Sequence, residues 1–439
     1  MKKVLVLGAG LVSRPLVRYL LDIPEFQVTV ASRTVSKADK LIDGHPQGTA
    51  IELNVKNDSQ LEQLIRQSDL AISLLPYTYH VKVAGYCIKH KKQMVTTSYI
   101  SDAMKALDKP ARQAGVLILN EIGVDPGIDH MSAMRIIHNV ENSGGKVVSF
   151  RSYCGGLPAP EANDNPFGYK FSWSPRGVLM AGRNDAKYLK EDKIIEIQGK
   201  DLFRHHWLLN IEGLPPFETY PNRNALPYIE TYGLKDVRTM FRGTIRNIGW
   251  CETMLCIARL GVLDETERHD LQGMSFDDLT RRLVNATAGL STRQAVQKYL
   301  GDDASEEVLD RLEWLGLFSS EPLPDEPTYL DVMTRRFMEK MPYREGERDM
   351  LVLYHDFLAE WPDHKKRITS TMVDFGIPHG DSSMARTVSL PAAIATRLIL
   401  QGKIKLSGVY APVMPEIYQP VLTELESMNI VCKEQEYPV

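Results

Sequence analysis

Short apolar runs alternate with helically spaced segments along residues 1–120. Residues 4–7 (VLVL) are wholly apolar and end at a glycine, which reads as a buried strand. Residues 11–21 then place apolar side chains at helical spacing. The alternation repeats, with strands at 27–31 (QVTVA), 50–53, 70–75, 93–97 and 116–120, and helices at 36–42, 58–66, 79–90 and 102–114. Strands that alternate strictly with helices predict βαβ units. Right-handed crossovers would join six such strands into a doubly wound parallel sheet.

The pattern changes after residue 146. Residues 193–197, 217–220 and 239–244 read as strands spaced by turns, which predicts a mixed sheet. Helical spacing returns at 250–260, 276–286, 292–299, 306–315 and 329–340. Residues 350–360 and 366–375 alternate as strands again and are expected to rejoin the second sheet. Two amphipathic segments, 391–401 and 415–428, follow near the C-terminus.

Length and composition narrow the class. The 439 residues predict two or three domains at roughly 100–200 residues each. With 43% hydrophobic and 25% charged residues, a sizeable core can be buried. A net charge of −4 argues against nucleic acid or an anionic membrane as the main partner. No apolar run reaches the ~18–20 residues of a membrane span. Met1-Lys2-Lys3 resembles the start of a signal peptide, but the apolar run after it stops at Gly8, so a strand is expected. The five cysteines are odd in number and form no CxxC pair, which predicts neither disulfides nor a zinc site. Reduced thiols suit the cytoplasm. His205-His206 has no further ligand at metal spacing, so no metal is expected.

The first chemical signal is Gly8-Ala9-Gly10-Leu11-Val12-Ser13, between a strand and a helix. This is the context in which a GxGxxG turn brings backbone amides to a pyrophosphate at a helix N-terminus. Ser13 stands at the third glycine position and is small enough for close helix–strand packing. The second strand ends in Ser32-Arg33-Thr34. NAD-binding units place an acid there for the ribose hydroxyls. A guanidinium between two hydroxyls suits a ribose phosphate instead, which favours NADP. Further cofactor contacts are expected at strand C-termini, on Asn54-Val55, Leu74-Leu75-Pro76, Thr97-Ser98-Tyr99 and Gly123 to Gly127.

The expected fold is therefore α/β. Residues 1–128 form a Rossmann NADP-binding domain, joined by C-terminal helices within 388–439. Residues 129–248 and 345–387 are expected to form an α/β mixed-sheet domain that binds substrate. Residues 249–344 are a helical insertion.

On the substrate side, Arg223 follows Tyr220-Pro221-Asn222, and Arg242-Gly243-Thr244-Ile245-Arg246 forms a second arginine cluster. Arginines beside Gly and Pro suit carboxylate capture, and a substrate with several carboxylates needs several of them. Glu121 and Asp125 are candidate acid or base groups, with His130 beside Asp129 a further one. Cys154 precedes two glycines on a strand; a small buried thiol is the commoner fate of a free cysteine.

The runs NEIGVDPGIDH (120–130), SYCGGLPA (152–159), NPFGYKFSWSPRG (165–177) and YPNR (220–223), with the motifs above and Thr97-Ser98-Tyr99-Ile100-Ser101, resemble the saccharopine dehydrogenases of the L-glutamate-forming type. The resemblance spans the whole chain and is weak near 260–340. It implies a reversible reaction of lysine metabolism. The amine of L-glutamate condenses with 2-aminoadipate 6-semialdehyde, and hydride from NADPH reduces the imine to saccharopine, a tricarboxylate. The resemblance places cofactor contacts on Ala9, Gly10, Leu11, Val12, Ser32, Arg33, Thr34, Asn54, Val55, Leu75, Thr97, Ser98, Val124, Asp125, Pro126 and Ser174. It places substrate contacts on Ser98, Tyr99, Asp125, Arg223, Thr244, Ile245 and Arg246. Asn54 departs from the aspartate common in the family. For catalysis, Asp125 and Tyr99 are the leading candidates and Cys154 a third. A homodimer is also implied.

Two other readings compete. An imine reductase acting on a polyamine such as carboxynorspermidine would share the dinucleotide unit but need an acidic pocket, against which the arginine clusters argue. An NADP-binding relative without activity would have no use for Asp125 and Tyr99.

Overall fold

The apolar run near the N-terminus becomes strand β1 (Lys2–Leu7), whose last four residues are buried, as a strand covered on both faces requires. In the computed structural model, which describes residues 1–439, β1 is the third strand from one edge of a seven-stranded parallel sheet. The chain continues through α1 (Arg14–Leu21), β2 (Phe26–Ser32), α2 (Val35–Ile42), β3 (Gly48–Glu52), α3 (Asp58–Gln67), β4 (Leu70–Ser73), α4 (His80–His90), β5 (Gln93–Thr96), α5 (Asp102–Lys105), α6 (Asp108–Ala114), β6 (Leu117–Leu119) and α7 (Ile128–Asn142). The strand order β3-β2-β1-β4-β5-β6 reverses direction between β1 and β4. That is the switch point beside which open parallel sheets bind ligands, at the strand C-termini.

Two local departures have physical reasons. The helix expected over 102–114 is two, α5 and α6. A continuous helix would press Pro110 against the Ala106 carbonyl, whereas in the first turn of α6 proline is tolerated. The seventh strand, Gly408–Tyr410, pairs with β6 and has only three residues. It is too short to show a period, and its backbone is tied by Val409 N–H to Asp108 Oδ1 at 2.9 Å.

The second part of the chain supplies β7 (Lys146–Pro158), α8 (Pro175–Ala181), β8 (Ala186–Lys190), β9 (Lys193–Ile197), β10 (Trp207–Leu209), β11 (Phe217–Pro221), α9 (Pro227–Thr231) and β12 (Thr239–Arg246). Helices α10 (Trp250–Arg259), α11 (Phe276–Leu283), α12 (Thr292–Leu300), α13 (Glu306–Leu315) and α14 (Tyr329–Lys340) precede β13 (Asp349–Glu360). The sheet is mixed, as expected: β12 runs parallel to β7 and antiparallel to β11. The short helices start at hydroxyl caps. Ser275 and Ser291 each make a reciprocal capping box, and Ser305 and Thr328 accept from the first turn.

The chain packs as two compact units, Met1–Val147 with Ala359–Val439, and Val148–Leu358. This division differs from the three segments expected. The helices over 249–344 do not stand apart within the second unit. Trp250, Phe167 and Phe337 form a common buried core with Tyr220 of β11, Phe167 lying edge-on to Phe337 at 5.8 Å. Helix α7 belongs to the first unit, where Arg135 binds Glu426 at 2.6 Å and Glu434 at 2.8 Å.

The first unit is completed by β14 (Lys365–Phe375), α15 (Ser383–Leu400), β15 (Gly408–Tyr410), α16 (Pro415–Ser427) and β16 (Lys433–Pro438). Strand β16 pairs antiparallel with β14. Helix α15 starts before the expected 391 because Ser382 caps it, accepting from Ala385 N–H at 3.0 Å, and Pro391 lies inside it. No helix is long and apolar enough to cross a membrane.

Candidate active site

Within the first unit, the loop after β1 is shaped by Gly8 and Ser13. Gly8 has φ +112°, and a Cβ there would lie 2.9 Å from the Leu74 carbonyl oxygen, so glycine is required. The buried Ser13 hydroxyl accepts from Gly10 N–H at 3.0 Å and donates to Gly8 O at 3.4 Å. Serine thus closes the loop where a third glycine would only leave room. A Cβ on Gly10 would meet no protein atom, leaving that face of the loop open to the close approach of a pyrophosphate.

At the end of β2, Arg33 is exposed and makes no ion pair or hydrogen bond within the chain. Ser32 Oγ accepts from Thr34 N–H at 3.3 Å. Thr34 is the N-cap of α2, but its hydroxyl makes no capping bond, and the first turn holds no acid. A cation, two hydroxyls and a helix N-terminus therefore converge with no internal anion, which fits the ribose phosphate of NADP. Asn54 accepts from Lys56 N–H at 3.0 Å and shapes the turn after β3, while Val55 is buried. Leu75 is half-buried beyond β4.

The loops after β5 and β6 bring the leading catalytic candidates together. Tyr99 donates its phenol proton to Asp125 Oδ1 at 3.2 Å. Asp125 lies in a loop closed on itself: Gly123 N–H donates to Pro126 O at 2.9 Å and Ile128 N–H to Gly123 O at 2.9 Å. Gly127, at φ +150°, lies so close that a Cβ would fall 2.0 Å from Gly123 O. Glu121 is buried, accepts from Ile100 N–H at 2.8 Å and bonds His130 Nε2 at 2.8 Å. Glu121 and His130 therefore brace the Tyr99 segment against α7. Asp129 accepts from His130 N–H at 2.8 Å as part of the same brace.

A third group escaped the sequence reading. His80, at the start of α4, is buried, with Nδ1 2.9 Å from Ser73 Oγ and Nε2 2.8 Å from Ser98 Oγ. The signal available was Ser73 and Thr96 at the ends of otherwise apolar strands.

In the second unit, Cys154 on β7 is paired in register with Thr244 on β12, and Thr244 with Tyr220 on β11. Alternation places Arg246 on the same face as Thr244. Cys154 and Arg246 are buried. The Arg246 guanidinium lies over Tyr169 at 5.0 Å and Trp250 at 5.4 Å, and Nη1 donates to Ile245 O at 2.8 Å. It has no carboxylate partner, and its Nε has no hydrogen-bond partner. Burial works against its charge, yet Tyr220 and Tyr169 raise its pKa above the ordinary arginine value. A buried cation left unpaired is costly, and an external anion would offset that cost. Glu218, opposite Arg246 in register, accepts instead from Gly249 and Cys251 N–H at 2.8 and 2.9 Å. Ile245 is buried and packs inward. Arg223 is exposed just beyond β11, with φ +56°. Ser174 caps α8, accepting from Gly177 N–H at 3.2 Å. Arg242 stacks over Tyr228 at 4.6 Å.

Residues 4–119 match the family model of the saccharopine dehydrogenase NADP binding domain, and residues 123–431 that of the saccharopine dehydrogenase C-terminal domain. The chain is 41% identical to the saccharopine dehydrogenase (NADP(+), L-glutamate-forming) of Schizosaccharomyces pombe, with 99% of each chain covered. It is 37% identical to the mitochondrial alpha-aminoadipic semialdehyde synthase of Bos taurus, covering 99% of this chain and 48% of that protein. Among solved structures, apo saccharopine dehydrogenase (L-Glu forming) from Saccharomyces cerevisiae superposes with a TM-score of 0.90 at 39% identity, over 100% of both chains. The open glycine loop, the unpaired Arg33 and these full-length matches lead to one conclusion: the chain belongs to the saccharopine dehydrogenase family, with an NADP-binding N-terminal part.

Proposed function

We propose that the protein is an NADP-dependent, L-glutamate-forming saccharopine dehydrogenase of lysine metabolism. It interconverts saccharopine with L-glutamate and 2-aminoadipate 6-semialdehyde. The observation that carries the substrate class is Arg246, a buried guanidinium with no carboxylate of its own. A tricarboxylate supplies one; a cationic polyamine such as carboxynorspermidine is less suited to it.

NADPH, when bound, supplies the hydride that reduces the imine carbon. Gly8, Ala9, Gly10, Leu11 and Val12 receive its pyrophosphate, and Ser32, Arg33 and Thr34 its ribose phosphate. Asn54, Val55, Leu75, Thr97, Ser98, Val124, Pro126 and Ser174 complete the cofactor assignment. Asp125 balances the positive charge of the iminium nitrogen. Tyr99, already donating to Asp125, moves the proton needed to expel water from the carbinolamine. Cys154 is a third candidate for proton transfer. Ser98, Tyr99, Asp125, Arg223, Thr244, Ile245 and Arg246 are assigned to substrate.

In this reading the enzyme is cytoplasmic and homodimeric. Five free cysteines agree with a reducing compartment, and sedimentation at working concentration tests the dimer. The function is tested by following NADPH formation with saccharopine and with carboxynorspermidine. Turnover with saccharopine alone supports the proposal. Turnover with the polyamine alone, or with neither, overturns it.

A further inference from the structure

The buried imidazole of His80 has no place in the chemistry above. It joins three elements of the first unit: the end of β4 through Ser73, the end of β5 through Thr96, and the following loop through Ser98. Ser73 and Thr96 are themselves paired in register. All three of His80, Ser73 and Thr96 are buried, at 3%, 0% and 0% exposure. Burial lowers the imidazole pKa to about 4, so the ring is neutral near pH 7 and carries one N–H.

The surrounding bonds fix which nitrogen carries it. The Thr96 hydroxyl proton is committed to Ser73 O at 2.9 Å. Thr96 Oγ1, which also accepts from Ser98 N–H at 3.4 Å, can therefore only accept from His80 Nε2, 3.4 Å away. Nε2 is then the donor, to Ser98 Oγ at 2.8 Å and secondarily to Thr96. Nδ1 accepts from Ser73 Oγ at 2.9 Å. With its oxygen accepting from His80, the Ser98 hydroxyl keeps its own proton for an outside acceptor.

We propose that His80 is a positioning residue that holds Ser98 as a hydrogen-bond donor to a carboxylate oxygen of the substrate. This rests on the assignment of Ser98 to substrate made above. The Ser73–His80 bond sets the tautomer, and the tautomer sets the direction of the Ser98 hydroxyl. A histidine that merely filled space would require neither bond.

A double-mutant cycle tests the proposal. Saccharopine KM, NADP KM, kcat and thermal midpoint are measured for Ser98→Ala, His80→Leu, the double variant and His80→Gln. Ser98→Ala is expected to raise saccharopine KM about tenfold, the loss of one charge-assisted hydrogen bond, and to raise it by a larger factor than NADP KM. His80→Leu should do nearly the same, and the double variant should be no worse than Ser98→Ala. His80→Gln, whose amide N–H replaces Nε2–H, should recover most of the loss. If His80→Leu fails to fold, His80→Asn, too short to reach Ser98, takes its place in the cycle. An unchanged KM in Ser98→Ala overturns the substrate assignment of Ser98, and the proposal with it. An impaired Ser98→Ala with additive effects in the double variant, or no recovery in His80→Gln, overturns the role of His80 alone.

Discussion

Arg33 and Arg246 place the same guanidinium group in two different settings. Arg33 is exposed and unpaired at a helix start, while Arg246 is buried over two rings with an unsatisfied Nε. Replacing Arg33 with alanine removes a charge-assisted contact of ~1.5–3 kcal/mol. NADP KM should rise roughly 10- to 100-fold while any activity with NAD stays level; steady-state kinetics with both cofactors checks this. Asp125→Asn and Tyr99→Phe should each lower kcat roughly 100-fold, the order of a lost acid–base contribution. NADPH affinity, followed by its fluorescence, should survive in both. His80 also makes a prediction about stability. Its pKa is about 4 when folded and 6.5 unperturbed, so the unfolded chain binds the proton first. Its contribution is therefore fully present above pH 6.5 and is lost as pH falls toward 4. The loss is about 3 kcal/mol. Urea unfolding across that window should show a shallower acid loss in His80→Gln than in the unchanged protein.

Among the elements, the loop between β6 and α7 places Asp125 through a glycine contact. Gly127→Ala would force a Cβ to 2.0 Å from Gly123 O, at a cost of roughly 3 kcal/mol or more. A lower urea midpoint together with reduced kcat is expected, whereas a midpoint within error of the unchanged protein would remove the steric role. Most elements were legible in the sequence because their apolar spacing is local. The six strands from β1 to β6 and the helices α10 to α14 lie close to their expected positions. What was not legible depends on distant partners. Gly408–Tyr410 is a strand only because β6, far away in sequence, pairs with it. Helix α15 hides its start because Pro391 looks like a beginning and is in the interior. The Tyr99–Asp125 bond was accessible as two separate candidates, but not as a pair. The Ser73–His80–Ser98 chain was invisible, since each member looks ordinary in its own segment.

The chain aligns over 99% of its length with the fission-yeast relative, and the match to the bovine mitochondrial protein covers 48% of that protein. The family's two parts meet near residues 119–123, while the compact units interleave the chain, returning residues 359–439 to the first. Removal of the C-terminal segment would therefore strip α15 and α16 from the dinucleotide-binding unit. The proposed activity is defined by which bond to nitrogen is broken. Saccharopine has two carbons flanking its secondary amine, and oxidation at either gives a different imine. The measurement is product analysis by mass spectrometry after incubating the enzyme with saccharopine and NADP. L-Glutamate and 2-aminoadipate 6-semialdehyde, formed in step with NADPH, are the predicted products. Lysine and 2-oxoglutarate, or no reduction of NADP at all, would contradict the account.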